Sequence, residues 1–281
     1  MKRIILLGII LVNTFLAYAN EQDSIKVENW LKEAISLPQD SCRTLHFAKQ
    51  MLGVPYVAGT LDGNEEEQLV VHVDQLDCTT FVETVLALCI ADKRDARSFD
   101  GFKKALTDVR YRDGVLDGYA SRLHYFSDWI RNNEQMGFVK ECTSETSCVQ
   151  PQELWLNFMT THVDSYQPMK KNHALVEVMA AQEKNWQGTI VSYIPKEKLN
   201  LPPEELKIKD GDILAMVTNI KGLDIVHVGF AFWKDNHLHL LHASSSAKKV
   251  IEDPKTQYES SGKTKAHIGL RAIRFVYEED D

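Results

Sequence analysis

The sequence predicts an α+β fold, with helices early in the chain and an antiparallel sheet late. Three observations carry this. Apolar residues recur at three and four through residues 24–52 and again through 79–91. From residue 174 the period changes to two, in "HALVEVMAAQ", "GDILAMVTNI", "IVHVGFAFW" and "HLHLLHAS", each bounded by turn residues. The 281 residues, 44% hydrophobic and 26% charged, have an ordinary globular composition without repeats or low-complexity tracts. Helices followed by a strand meander fit a helical layer packed on one face of a sheet.

The first twenty residues, "MKRIILLGIILVNTFLAYAN", join a basic start (Lys2, Arg3) to an apolar run, Ile4 to Leu16, and a small-residue ending, Ala17-Tyr18-Ala19. This is the plan of a signal peptide over residues 1–19, cleaved after Ala19. The run falls short of the ~20 residues of a spanning helix, and no cysteine follows the cut. The expectation is an exported protein, periplasmic or secreted, with no stable membrane anchor. Residues 20–281 then form a single domain.

Within it, the first helical pattern (Ile25, Trp30, Leu31, Ala34, then Leu45, Ala48, Leu52) stops at Gly53-Val54-Pro55. The second carries Phe81, Val82, Val85, Leu86 and Cys89 on 79–91. Residues 92–172 are mixed, with aromatic clusters such as "RLHYFSDWI", and read as a helical and loop insertion that walls the cleft. The formal charge of -8 comes without any Lys/Arg-rich block, so nucleic acid is not an expected partner. Oligomeric state is not legible.

Five cysteines is an odd number for an exported chain, which leaves at least one thiol unpaired. Cys142 and Cys148 lie close enough in sequence to close a small loop, and Cys89 reads as a buried apolar thiol. Cys78 is different. Asp77 is a favoured N-cap residue, which puts Cys78 at the first helical position beside unsatisfied backbone N–H groups. A helix N-terminus lowers a thiol pKa, so the expectation is an activated nucleophile.

A cysteine nucleophile needs a base, and the base needs a third polar group to fix its tautomer. "DIVHVGFAFWKDNHLHLLHASS" offers both in one hairpin. On the first strand His227 shares a face with Gly229 and Ala231, small residues that leave room for close approach. A two-residue turn, at Lys234-Asp235 or Asp235-Asn236, puts His242 on the same face as His227, opposite it or one diagonal step away. A three-residue loop would put it on the other face. A zinc site on His237, His239 and His242 fails the same parity test, because His242 faces away from the other two. No metal and no cofactor are expected.

In order and spacing, "GVPYVAGTL", "LDCTTFVE", "KDGDILAMV", "HVGFAF" and "LLHASS" resemble the signatures of the NlpC-type papain-like cell-wall cysteine hydrolases. The stretches "SRLHYFSDWI", "FMTTHVDSY" and "KKVIEDPKTQY" are most similar to its N-acetylmuramoyl-L-alanine amidase-like branch. The resemblance implies a papain-like core, with a nucleophile-bearing helix packed on an antiparallel β-sheet. It further implies that Cys78 is the nucleophile, His227 the general base and His242 the orienting residue. Tyr56, Asp77 and Thr79 would shape the substrate site. The family's usual serine-glycine after the cysteine is Thr79-Thr80 here. Arg122 and His124, among aromatic neighbours, are candidates to hold substrate carboxylates or sugar.

The implied substrate is peptidoglycan or a released muropeptide, cut between the muramoyl lactyl group and L-alanine. The alternatives are cleavage of the γ-D-glutamyl bond to the diamino acid, and an inactive module that holds peptidoglycan without cutting it.

Overall fold

The computed structural model describes residues 21–64, 66–262 and 265–276. The expected leader lies outside them. Among the described residues no helix is long and apolar enough to cross a membrane.

The chain opens with α1 (21–34), α2 (Arg43–Gln50), α3 (Cys78–Lys93), α4 (Phe99–Arg110) and α5 (Phe126–Gln135). After β1 (Val139–Glu141) and β2 (Gln150–Leu154) come three helices, α6 (Phe158–Thr161), α7 (Gln167–Lys171) and α8 (Ala174–Lys184). Strand β3 (Thr189–Pro195) and α9 (Pro203–Leu206) precede a run of strands, β4 (Ile213–Thr218), β5 (Ile225–Lys234), β6 (His237–Ser244) and β7 (Lys249–Glu252). Helix α10 (Gln257–Ser261) and β8 (His267–Phe275) close the fold. The sheet is antiparallel in the order β2-β3-β8-β4-β5-β6-β7, with β1 also paired to β8. The architecture is therefore the α+β arrangement that the two periodicities predict.

Helix α3 is apolar on nearly every side, and residues 80–92 are all buried. A helix with that composition belongs inside a protein rather than on its surface. It packs with α2 and α4 on one face of the sheet, against Ile213, Ala215, Val228, Phe230, Leu241 and Ala243. Phe81 and Phe230 meet edge to face at 5.5 Å between ring centroids. The opposite sheet face buries Leu214, Met216, Ala231, Leu240 and Leu270 in a second cluster.

Two expectations change. "HALVEVMAAQ" is the helix α8 rather than a strand. Its alternation through Val176, Glu177 and Val178 competes with a spacing of four that buries Met179 and Glu183, and Ala, Met, Gln and Glu are strong helix formers. The 92–172 segment also divides. Phe102, Leu106, Val109, Trp129, Ile130 and Val139 belong to the main core, so α4, α5 and β1 are part of the body of the fold. The later part, with Leu154, Leu156, Met159 and Met169, joins Tyr119, Tyr125, Met179 and Trp186 in a satellite core.

Candidate active site

Three elements carry the expected residues: α3 holds Cys78, β5 holds His227 and β6 holds His242. Asp77 caps α3 through a complete capping box. Its Oδ1 accepts from the Thr80 N–H and the Thr80 hydroxyl, each at 2.8 Å, while the Asp77 N–H donates to Thr80 Oγ1 at 2.9 Å. Cys78 is therefore the first helical residue, as its sequence position predicts. The Val228 N–H and the Thr79 side chain and N–H all bond the Cys78 thiol. This sets the sulfur against the His227–Val228 peptide of β5.

The thiol pKa moves opposite to the sequence expectation. Burial, reinforced by the Asp77 carboxylate, pushes Cys78 up to about 11 despite those three hydrogen bonds. The helix N-terminus does stabilise a thiolate, but desolvation of a charge is the larger effect here. His227 moves the other way: burial, with His242 and His267 beside it, pushes it down to about 3. At neutral pH both groups are uncharged, and the proton is on sulfur.

The hairpin turns with two residues, Asp235 at φ 51° and Asn236 at φ 60°, and Lys234 pairs with His237. These φ values match the primed turn that suits a two-residue hairpin. Continuing the register sets His242 opposite Gly229, one diagonal step from His227. A Cβ on Gly229 would lie 2.8 Å from His242 Cβ, so only glycine fits there. The strand also carries a bulge. Met216 pairs with His227, but Val217 pairs with Ile225, leaving Val226 as an extra residue. Such a bulge re-aims the side chain beside it. The two rings meet edge to face, and His227 Nε2 lies 2.5 Å from His242 Nδ1.

Tyr56 belongs to the same place. Its N–H donates to Lys248 O, and it bridges to Leu76, so the Gly53–Val57 strip is held between β7 and the approach to α3. Burial raises the Tyr56 phenol, and the neighbouring Cys78 and Asp77 add to this. Thr79 lies on the same turn of α3 as the thiol.

Arg122 and His124 are built differently. Arg122 is buried, bonds Asp62 at 2.7 Å and lies 3.3 Å from Glu67, with its guanidinium 5.0 Å from the Tyr119 ring. It lines a cavity of about 410 Å³ together with Asp62, Glu67, Tyr119 and Lys171. His124 does not line that cavity. Its Nε2 contacts Tyr119 O at 2.9 Å, its ring packs on Tyr119, and burial pushes it down to about 3.

Two residues of the site escaped sequence reasoning. His267 and Asp253 line a second cavity, of about 230 Å³, with His227 and His242. Strand parity contained the signal for Asp253. In the β6–β7 register His242 pairs with Ile251, so Asp253, two residues on, falls on the same face. Among the described residues no three His, Cys, Asp or Glu side chains converge as a metal ion would need. Cys142 and Cys148 are free thiols rather than a closed loop.

A family model described as "AmiA-like: N-acetylmuramoyl-L-alanine amidase-like" matches residues 46–265. No curated protein matches. Among solved structures, an N-acetylmuramoyl-L-alanine amidase from Bacteroides uniformis is 39% identical, with 83% of this chain and 97% of that one covered and a TM-score of 0.78. A Bacteroides fragilis protein named provisionally as a xylanase is also 39% identical, covers 82% and 100% of the two chains, and has a TM-score of 0.77. A Legionella pneumophila protein of the DUF1460 family, 23% identical with a TM-score of 0.72, shares the fold.

Proposed function

The chain belongs to the N-acetylmuramoyl-L-alanine amidase-like family, and from that premise we propose that it is a papain-like cysteine hydrolase. Its reaction is to cut the amide between the muramoyl lactyl group and L-alanine of peptidoglycan fragments. The observation that carries the cysteine mechanism is the His227–His242 contact at 2.5 Å. It engages Nε2 of His227 and leaves Nδ1 for the thiol beside the His227–Val228 peptide.

The chemistry follows from the protonation states. With both groups neutral, His227 Nδ1 takes the Cys78 proton as sulfur attacks the amide carbonyl, rather than sharing a preformed ion pair. Backbone N–H groups at the start of α3 face the developing oxyanion. The protonated His227 gives its proton to the leaving L-alanine amine, the C–N bond breaks, and a thioester remains on Cys78. Water, deprotonated by His227, then releases the muramoyl carboxylic acid and restores the thiol. His242 keeps the His227 ring in place throughout.

Glycosidic hydrolysis, the chemistry of a xylanase, uses two carboxylates flanking the scissile bond. Here a thiol and two imidazoles are gathered, and Asp77 Oδ1 is engaged in the helix cap. The signal-peptide pattern of residues 1–19 supports export, and the proposed chemistry calls for no metal ion.

Mass spectrometry of defined muropeptides tests the proposal. Wild-type protein is expected to release a peptide beginning with L-alanine, with or without chelator, and Cys78→Ala is expected to release none. Cleavage after D-glutamate would replace the specificity. Binding without cleavage would replace the enzyme with a binding module.

A further inference from the structure

The interior face of the β5–β6 hairpin contains a polar atom that the mechanism above leaves unexplained. His242 is 9% exposed, its Nδ1 meets His227, and its Nε2 is buried without a hydrogen-bond partner. A buried orphan of this kind is costly and asks for a reason. The nearest charged group is Asp253 Oδ2, 3.9 Å away.

Asp253 is not a loose surface carboxylate. Its N–H donates to Leu240 O at 2.8 Å, and its carbonyl contacts His239 Nδ1 at 3.1 Å. Oδ1 accepts from the Lys255 N–H at 2.9 Å, and Oδ2 from the Ser260 hydroxyl at 3.4 Å. Two contacts from β6 thus hold the backbone of Asp253, and two more, from α10 and its own loop, hold its carboxylate in the cavity. Among the described residues lining that cavity it is the sole carboxylate. His267, the other titratable group there besides the histidine pair, has its Nε2 on Gly269 O at 2.7 Å.

We propose that Asp253 is a positioning residue that sets the tautomer of His242 and, through it, of His227. A carboxylate accepts only, so it selects the His242 tautomer with the proton on Nε2. Nδ1 of His242 then has a lone pair and must accept, which requires the proton of His227 on Nε2. The lone pair of His227 is thereby left on Nδ1, the atom that has to receive the thiol proton. The separation of 3.9 Å is longer than a hydrogen bond, and a small rotation of either side chain closes it. The same carboxylate stabilises the imidazolium that His227 becomes during each cycle, which matters because burial otherwise disfavours that charge. This inference rests on the proposed roles of Cys78, His227 and His242.

The test compares Asp253→Asn, Asp253→Ala and Asp253→Glu, reading kcat and KM on muropeptide together with ¹⁵N chemical shifts of the His242 ring. The carboxamide of Asn offers an N–H to Nε2 and so favours the inverted tautomer. Asp253→Asn is expected to lower kcat by roughly 10²- to 10⁴-fold, by analogy with carboxylate-to-amide changes at catalytic histidines. KM should change little, and the His242 proton should move from Nε2 to Nδ1. Asp253→Ala should lose less, and Asp253→Glu should recover activity and the Nε2–H signature.

Wild-type kcat in both Asn and Ala variants, or a His242 proton on Nδ1 in the wild type, would overturn the inference. The ring shifts are read without substrate. If wild-type protein cleaves no muropeptide, the proposed function fails while the tautomer result still decides the role of Asp253.

Discussion

At the scale of single residues, the site is governed by burial acting on charge. Cys78 has what a reactive cysteine is expected to have, an N-terminal helical position and three hydrogen-bond donors, and its pKa still rises to about 11. A free thiol titrates near 8.5. The thiolate absorbance lost in Cys78→Ala is therefore expected to be absent at pH 7 and to emerge only above pH 9. A thiolate already present at pH 7 would mean a preformed ion pair with His227. The sign of this shift was illegible in the sequence, because a local motif reports the helix terminus but not the desolvation imposed by β5. The meeting of His227 and His242 was legible, since parity along a hairpin with a two-residue turn is a property of sequence alone. So was the need for Gly229, whose missing Cβ lets His242 approach.

At the scale of elements, α3 and the β5–β6 hairpin each bring one half of the site. The capping box fixes where α3 begins and hence where the thiol lies. Thr80→Val preserves the buried shape but removes the hydroxyl that serves both the Asp77 N–H and its carboxylate. The expected cost is about 1–2 kcal/mol in denaturant unfolding, with most of it recovered in Thr80→Ser. An unchanged midpoint in Thr80→Val would mean that packing alone sets the helix start. Element type was legible where one period dominates, as in α3 and β4 to β6. It was misread at α8, where a short apolar segment satisfies both periods and tertiary burial decides. The role of 92–172 was half legible: aromatic clusters announce burial, but not that α4 and α5 join the principal core while the later helices close a smaller one. Asp253 required knowing that β7 pairs with β6, a non-local fact.

At the scale of the whole molecule, two buried histidines set a limit on acid stability. His124 and His227 are both held near 3, below the ~6.5 of an exposed histidine. Below pH 6.5 the unfolded chain binds protons that the folded chain refuses, so their contribution is complete above that pH and is lost as pH falls toward 3. Each histidine adds a slope approaching ~1.4 kcal/mol per pH unit between about pH 5.5 and 4. Removing the titrating group in His227→Asn should flatten the pH dependence of the unfolding free energy by about that amount, whatever the variant's stability at neutral pH. Parallel curves for the two proteins would mean that His227 is not held neutral by the fold.

In the proposed mechanism the Cys78 sulfur breaks the amide. Rapid-quench intact-mass spectrometry of wild-type protein during turnover of a muropeptide tests this directly. A transient adduct with the mass of the muramoyl acyl group is expected, mapped to Cys78 by peptide analysis and absent in Cys78→Ala. Turnover that persists in Cys78→Ala, or that stops on addition of a chelator with no adduct at any time, would contradict it.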